Sequence, residues 1–272
     1  MTEVGVVGVG RMGLPMVTRL VDAGHHVRAL GRSRDVRERL AAAGALPVAD
    51  IADVVTASTE VVLITVLTDD QVREVCLSTP LLSYASAGTT LVIHTTGSPT
   101  TSALVAEKLS SQRVSVVDAA VSGGPHDIAA GRLTVFIGGD DRSVEKVVPT
   151  LAAYANPVVP VGELGSGQRV KLVNNAIFTA QIGLIRAGIT LGEQLGLDEA
   201  ALLSALPHAS ADSRALAGVV RRGSVDAFIG SVRQFVGKDV EVVRGVAAEL
   251  DGDLGLLEPL IGLGCPPPPP VE

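Results

Sequence analysis

The 272-residue chain has no tryptophan, only two tyrosines and four phenylalanines, and only two cysteines, Cys76 and Cys265. An interior so poor in rings must be filled by Val, Leu, Ile and Ala, which suits a parallel sheet covered on both faces. Two cysteines make no disulfide framework, so a reducing compartment is expected. Positive charge is scarce too: 22 basic residues stand against 29 acidic ones, for a net charge of −7. That balance argues against nucleic acid or an anionic membrane as the main partner, since both reward clustered Lys and Arg. No secretory signal is expected, because Glu3 directly precedes a strand-like run. The longest uncharged helical stretch, residues 172–185, is too short to cross a bilayer and carries two Asn and a Gln. These exclusions leave a soluble, cytoplasmic protein with no metal site, long enough for one large domain or two ordinary ones.

What the chain does have is apolar residues, 47% of the total, arranged in two styles. Short β-branched runs recur at 4–7, 27–30, 61–66, 91–94, 114–119, 133–137 and 157–161, with helical patterns such as 14–23 and 34–43 between the early ones. Alternation of that kind predicts βαβ units and a doubly wound, mostly parallel sheet. After Gly162 the pattern changes. Residues 168–195 hold neither Pro nor a turn cluster and predict one helix of about 40 Å, apolar on nearly every side and so expected between domains or subunits. Further helical patterns follow around 199–206, 213–222 and 231–250, with no closing helix expected after Leu254. The fold class expected is therefore α/β over residues 1–162, followed by an all-α domain over 163–272. The run Pro266 to Pro270 predicts polyproline II or a frayed end.

The first strand leads straight into Gly8-Val9-Gly10-Arg11-Met12-Gly13 and a helical segment. GxGxxG alone is a weak signal, but strand, tight turn and helix are the context that gives it meaning. Gly8 takes the turn, Gly10 lets the backbone approach a pyrophosphate, and Gly13 lets the helix pack closely on the strand, as in a Rossmann domain. Free N–H groups at the helix start then face the phosphates. The second strand ends in Leu30-Gly31-Arg32-Ser33-Arg34, with no acid before Asp35. A carboxylate there would hold a ribose 2′-hydroxyl, whereas Arg32 can pair with a 2′-phosphate and Ser33 can donate to it. NADP is therefore expected over NAD; the plainer reading makes these arginines solvated surface charges.

Of the 22 basic residues only four are lysines: Lys108, Lys146, Lys171 and Lys238. Lysine, unlike arginine, can lose its proton when desolvated. Lys171 follows Gly165-Ser166-Gly167 early in the long helix, and Asn175, four residues on, projects from the same face. An amine beside an amide in an apolar wall reads either as a reactive pair or as a snorkelling lysine near a helix start.

Four segments, GVGRMGLPM at the start, the run from Asp118 to Gly124, GSGQRVKLVNN, and Lys238-Asp239, together resemble the β-hydroxyacid dehydrogenase family, which includes 3-hydroxyisobutyrate dehydrogenase and tartronate semialdehyde reductase. The likeness spans nearly the whole chain. It implies that Lys171 is the catalytic lysine with Asn175 beside the substrate. It implies that Ser122, Gly123 and Gly124 hold a substrate carboxylate, and that Thr96 meets the nicotinamide end. By the same resemblance Leu67 and Thr68 line the cofactor cleft, and Lys238 reaches the cofactor from the second domain. Oxidising an alcohol needs its proton removed as hydride leaves for the cofactor, and one lysine serves both directions.

Several positions depart from the family. Ala120 stands where Pro is usual, which would loosen the substrate loop; Asp127 and Ile128 stand where Gly and Ala are expected, adding charge and bulk near the carboxylate pocket. His94 replaces an expected Asp, and His126 reads as a solvated loop residue. A larger or less acidic substrate is one consequence. The competing functions are a related reductase of a different carbonyl or imine group, with Lys171 arguing against the imine case and favouring alcohol–carbonyl chemistry, and a non-catalytic dinucleotide binder. A homodimer or higher oligomer is expected, because the apolar helix must be covered.

Overall fold

A computed structural model describes residues 1–266; all but the first residue of the proline run lies outside them. The chain divides into two compact units, Met1–Lys171 and Leu172–Glu272. The first is built on β1 (Glu3–Val7), β2 (His26–Leu30), β3 (Leu46–Val48), β4 (Val61–Ile64), β5 (Thr90–Ile93), β6 (Ser115–Ser122), β7 (Leu133–Gly138) and β8 (Ala155–Pro160). They form one sheet in the order β3-β2-β1-β4-β5-β6-β7-β8. All neighbours are parallel except β6 and β7. The chain begins in mid-sheet, winds outward to β3, then crosses back to β4 and winds the other way. Between β1 and β4 the connections leave on opposite faces, and in such sheets the ligand crevice lies at the strands' carboxyl ends, at this switch in strand order.

Helices α1 (Gly13–Asp22), α2 (Arg34–Ala42), α3 (Asp69–Arg73), α4 (Pro99–Leu109), α5 (Pro125–Ala129) and α6 (Asp141–Leu151) connect the strands. The alternation of side chains along a strand explains why both faces need cover. On β4, Val61 and Leu63 pack with Met16, Val17 and Leu20 of α1 and with Val147 and Leu151 of α6. Val62 and Ile64 face the other way, onto Val72 of α3 and Val105 and Leu109 of α4. Hence the strands read as continuous aliphatic runs. β3 escapes that signal because it is short and carries Pro47, tolerated at a sheet edge.

Two expectations are corrected here. Ala120 does not loosen a loop: β6 runs on to Ser122 because it pairs antiparallel with β7, Ala120 opposite Phe136 and Ser122 opposite Thr134. Ile128 adds no bulk to a pocket, since it is fully buried in the core beside Leu133 and Val135.

The long helix α7 (Ser166–Gln194) starts in the first unit and runs through the second, where α8 (Glu199–Ala205), α9 (Arg214–Arg222), α10 (Val225–Glu249) and α11 (Leu257–Gly264) join it. Leu172, Ala176 and Ala180 of α7 pack with Val236, Val240 and Val243 of α10 and Ile261 of α11. Ile182 and Ile189 pack with Leu216 and Val219 of α9 and Phe228 of α10. Helix α11 is the third correction, because no closing helix is expected after Leu254. It forms through packing rather than propensity: Ile261 is fully buried, and Gly264 lies so close to α7 that a Cβ there would sit 2.1 Å from the Thr179 carbonyl oxygen. No helix among the described residues is long and apolar enough to cross a membrane.

Candidate active site

The crevice is shaped first by the glycine turn. Gly8 has φ +101°, and a Cβ on it would lie 2.4 Å from the Thr65 carbonyl oxygen, so both its conformation and its neighbour demand glycine. Thr65 at the end of β4 donates its hydroxyl to the Gly8 carbonyl at 3.2 Å, tying turn to strand. At Gly13 a Cβ would lie 1.9 Å from that same carbonyl oxygen, which is why α1 can start so close to β1. Val9 and Met12 pack against the core while Gly10 and Arg11 are exposed, and a Cβ on Gly10 would meet only open space. No side chain caps the start of α1. Open backbone beneath an uncapped helix start is the cradle a pyrophosphate requires, and these residues fit a dinucleotide.

At the end of β2, Arg32 is exposed and its guanidinium has no partner among the described residues, whereas Arg34 is paired with Glu38 at 2.7 Å. The Ser33 hydroxyl oxygen accepts from the Val36 N–H at 3.3 Å and caps α2, yet its own hydrogen stays available to an outside acceptor. Leu67, past β4, is exposed. Thr68 caps α3, accepting from the Gln71 N–H at 3.2 Å while Gln71 Oε1 accepts from the Thr68 N–H at 3.3 Å.

The ends of β5 and β6 carry the next group. Thr96 is half-buried, just beyond β5, in a loop held by Gln168, whose side chain accepts from the Gly97 N–H at 3.0 Å and donates to the Thr95 carbonyl at 2.8 Å. Asp69 grips the following residues, accepting from the Ser98 N–H at 3.2 Å and the Thr101 hydroxyl at 2.5 Å. At the end of β6, Ser122 is half-buried and Gly123 exposed. The Gly124 N–H is committed to Asp127 Oδ2 at 2.8 Å, so Asp127 folds back over the turn and caps α5. His126 is 81% exposed on its side chain and approaches Asp127 at 3.2 Å.

Asp118 supplies what the start of α7 lacks. Gly165, at the cap position, has no side chain, and Asp118 reaches in from β6 to accept from the Gly165 N–H and the Gln168 N–H, each at 2.6 Å. Burial pushes the Asp118 carboxyl up from its ordinary value, and the bonds from Gly165 and Gln168 act against that. Lys171 follows in the second turn of this anchored helix, 8% exposed. Asn175, one turn further, is 6% exposed. Its Oδ1 accepts from Asn174 Nδ2 at 3.3 Å, while its own Nδ2 is buried with no partner. A buried donor without an acceptor is costly and marks a place for a ligand oxygen. Lys238 lies half-buried on α10.

Three structural residues carry no role in the sequence reading: Gln168, Asp69 and Tyr154. The Tyr154 hydroxyl lies 2.7 Å from Nε2 of the buried His94, whose Nδ1 lies 2.5 Å from the Ala119 carbonyl oxygen. One signal was present. Asp118 is an acid inside an apolar strand run, and such a strand accepts an acid only where a partner awaits it.

Known proteins share this fold. Residues 3–162 match the sequence family described as the NAD-binding domain of 6-phosphogluconate dehydrogenase, and residues 165–259 match that described as NAD-binding of NADP-dependent 3-hydroxyisobutyrate dehydrogenase. A probable 3-hydroxyisobutyrate dehydrogenase of Mycobacterium tuberculosis is 32% identical over 210 residues, 77% of this chain and 70% of that one. The 2-(hydroxymethyl)glutarate dehydrogenase of Eubacterium barkeri is 29% identical over 216 residues, 79% of this chain and 71% of that one. The solved structure of Mycobacterium tuberculosis 3-hydroxyisobutyrate dehydrogenase with L-serine superposes with a TM-score of 0.86 at 25% identity, covering 97% of this chain and 92% of that one. Glycine cradle, the helix start anchored by Asp118 and both sequence matches lead to one assignment: the chain belongs to the β-hydroxyacid dehydrogenase family of nicotinamide-dependent oxidoreductases, which includes 3-hydroxyisobutyrate dehydrogenase.

Proposed function

We propose that the protein transfers hydride between NADP(H) and a small β-hydroxy acid or its semialdehyde, with Lys171 as general acid and base. The observation that carries this reading is the pairing, on one helix, of a buried lysine with a buried amide whose donor has no partner. When bound, the nicotinamide supplies the hydride acceptor and donor. Lys171 takes the proton from the substrate hydroxyl in oxidation and returns it to the carbonyl oxygen in reduction. Asn175 Nδ2 donates to a substrate oxygen and holds it in line with the amine. Ser122 anchors the carboxylate with its hydroxyl, aided by the backbone of Gly123; Gly124 contributes less, since Asp127 already takes its N–H. The Asp127 carboxylate against that turn favours a substrate larger or less acidic than the smallest family members, a second reading that rests on this one contact.

Gly8 to Gly13 receive the pyrophosphate, Leu67 and Thr68 line the cleft, Thr96 faces the nicotinamide end, and Lys238 is assigned to the cofactor by the family pattern. The cofactor domain is taken as residues 1–162 and the helical domain as 163–272, working in the cytoplasm. Val173, Ile177, Leu184 and Leu191 form an exposed apolar stripe along α7, continued by Leu195. That stripe supports a homodimer, which light scattering would read as twice the 27.8 kDa chain mass; a monomer at micromolar concentration would overturn it.

The test of function is reduction of NADP, followed by absorbance, with 3-hydroxyisobutyrate, glycerate, 3-hydroxypropionate and 4-hydroxybutyrate, repeated with NAD. Turnover is expected with NADP first. Arg32→Ala is expected to raise the KM for NADP about 10- to 100-fold and leave that for NAD unchanged, the loss of a charge-assisted pair. Tight NADPH binding with no turnover on any panel member would instead describe a non-catalytic binder, and equal effects of Arg32→Ala on both cofactors would return Arg32 to the solvent.

A further inference from the structure

Gln168 is the third residue of α7 and only 1% exposed. Its amide oxygen and its amide nitrogen both bond to one short stretch: Oε1 accepts from the Gly97 N–H at 3.0 Å, and Nε2 donates to the Thr95 carbonyl at 2.8 Å. Those two peptide groups flank Thr96, so a single side chain grips the loop on both sides of the residue assigned to the nicotinamide end. The backbone of Gln168 is fixed as well, its N–H donating to Asp118 Oδ2 at 2.6 Å. On the far side of the loop, Asp69 holds Ser98 and Thr101. The turn at residues 95–98 is thus clamped between two side chains, one of them on the helix that carries Lys171 three residues later.

We infer that Gln168 is a positioning residue which sets the separation between Thr96 and Lys171, and through it the alignment of the nicotinamide end with the proton-transfer amine. The inference rests on the dehydrogenase reading above. Space-filling does not explain the residue: a buried amide costs more to desolvate than Leu or Met of similar volume, and repays that only through directed hydrogen bonds. Oxidation takes hydride from the carbon and a proton from the oxygen of one C–O unit, so the groups that hold the two acceptors need a fixed spacing, and a misplacement of about 1 Å costs about 100-fold in rate. A two-ended amide is suited to this. It resists displacement of the loop in either direction, because a shift stretches one bond or bends the other.

The experiment compares the wild type with Gln168→Met, which fills the space without polar ends, and Gln168→Glu, which is isosteric. Four quantities are measured: kcat, the Kd for NADPH, the primary deuterium isotope effect with deuterated cofactor, and the emission of bound NADPH at saturation without substrate. For Gln168→Met, kcat is expected to fall about 100-fold. Its Kd should stay within about threefold of wild type, as the pyrophosphate contacts are untouched. Its isotope effect should rise, because hydride transfer becomes the slow step. Its bound NADPH should emit less, the nicotinamide being less firmly held. In Gln168→Glu a carboxylate keeps an acceptor for Gly97 but faces the Thr95 carbonyl without a proton. Its kcat relative to wild type should therefore climb as pH falls and the proton returns. This variant also decides the matter should Gln168→Met fail to fold.

A merely structural glutamine would lower the melting temperature and the active fraction, while kcat per folded site, isotope effect, pH profile and emission stayed at wild-type values. That result would overturn the inference. If the wild type itself turns over nothing, emission still separates the two ideas. A changed emission in Gln168→Met keeps its role at the cofactor end and sinks the proposed reaction; an unchanged one sinks the positioning role.

Discussion

Lys171→Ala is expected to lower kcat by about three orders of magnitude, within the usual range for losing a positioned acid or base, while NADPH binds within about threefold of wild type. The lysine is buried near the start of α7, behind a helix end held by Asp118, so its amine is not a loosely tethered surface charge. The decisive partner variant is Lys171→Arg. A guanidinium keeps the positive charge but does not give up its proton at any ordinary pH. If Lys171 transfers a proton, arginine restores almost nothing in the oxidation direction. If it acts only as a fixed charge, or as a snorkelling lysine that steadies the helix, arginine restores most of the activity. Measuring kcat, Kd for NADPH and melting temperature for both variants separates the three cases, and full activity in Lys171→Arg would remove Lys171 from the chemistry.

Acid should destabilise the protein through His94. Its Nδ1 faces the Ala119 carbonyl oxygen, which only accepts, so the ring proton belongs on Nδ1; Nε2 is left to accept from the Tyr154 hydroxyl. Both partners suit the neutral ring, and no carboxylate among the described residues is paired with it. Burial pushes the pKa down from 6.5 to about 4, with the bond to Ala119 acting the other way. In the unfolded chain His94 takes up its proton near pH 6.5, whereas in the folded protein it waits until about pH 4. Between those values the unfolded state binds more protons, so stability rises with pH. The contribution, about 3 kcal/mol, is complete above pH 6.5 and gone once pH falls through about 4. Asp118, whose pKa is raised, works in the opposite sense and makes the net loss smaller.

Urea unfolding across this range, wild type against His94→Leu with Tyr154→Phe, isolates the histidine. Removing ring and hydroxyl together leaves only the Ala119 carbonyl oxygen without its donor, a cost that does not vary with pH. The double variant should lose the part of the acid slope that lies between pH 6.5 and 4. Parallel slopes in the two proteins would show that His94 is not the acid-sensitive group.

The two sets of residues behind these predictions differ in how they could be read. Lys171 stood out in the sequence as one of four lysines in an arginine-rich chain, beside Gly and Asn in a long apolar stretch. Its supports did not. Asp118 meets Gln168 across 50 residues, Gln168 meets Thr95 across 73, and His94 meets Tyr154 across 60. The pairing of His94 with Tyr154 explains how a histidine lives where the family has an acid: it finds an uncharged partner in the core. Asp127 and Ile128 are neighbours that read alike as intruders near the substrate loop. The fold parts them, one onto the Gly124 N–H and the other into the core.

By itself the sequence determined what short-range rules control. The strand–glycine–helix turn follows from φ and close approach at Gly8 and Gly13, and the sheet from runs of aliphatic residues with no ring to compete. The long helix follows from 28 residues without a proline or a turn cluster. Only the tertiary structure decided the rest: β6 extended to Ser122 by its antiparallel neighbour, α11 formed on a glycine contact with α7, and the start of α7 capped from another strand. The reason is physical. Local conformation depends on a few residues either side, whereas buried polar groups are satisfied by whatever the folded chain brings within 3 Å or so, and that partner can lie anywhere along it.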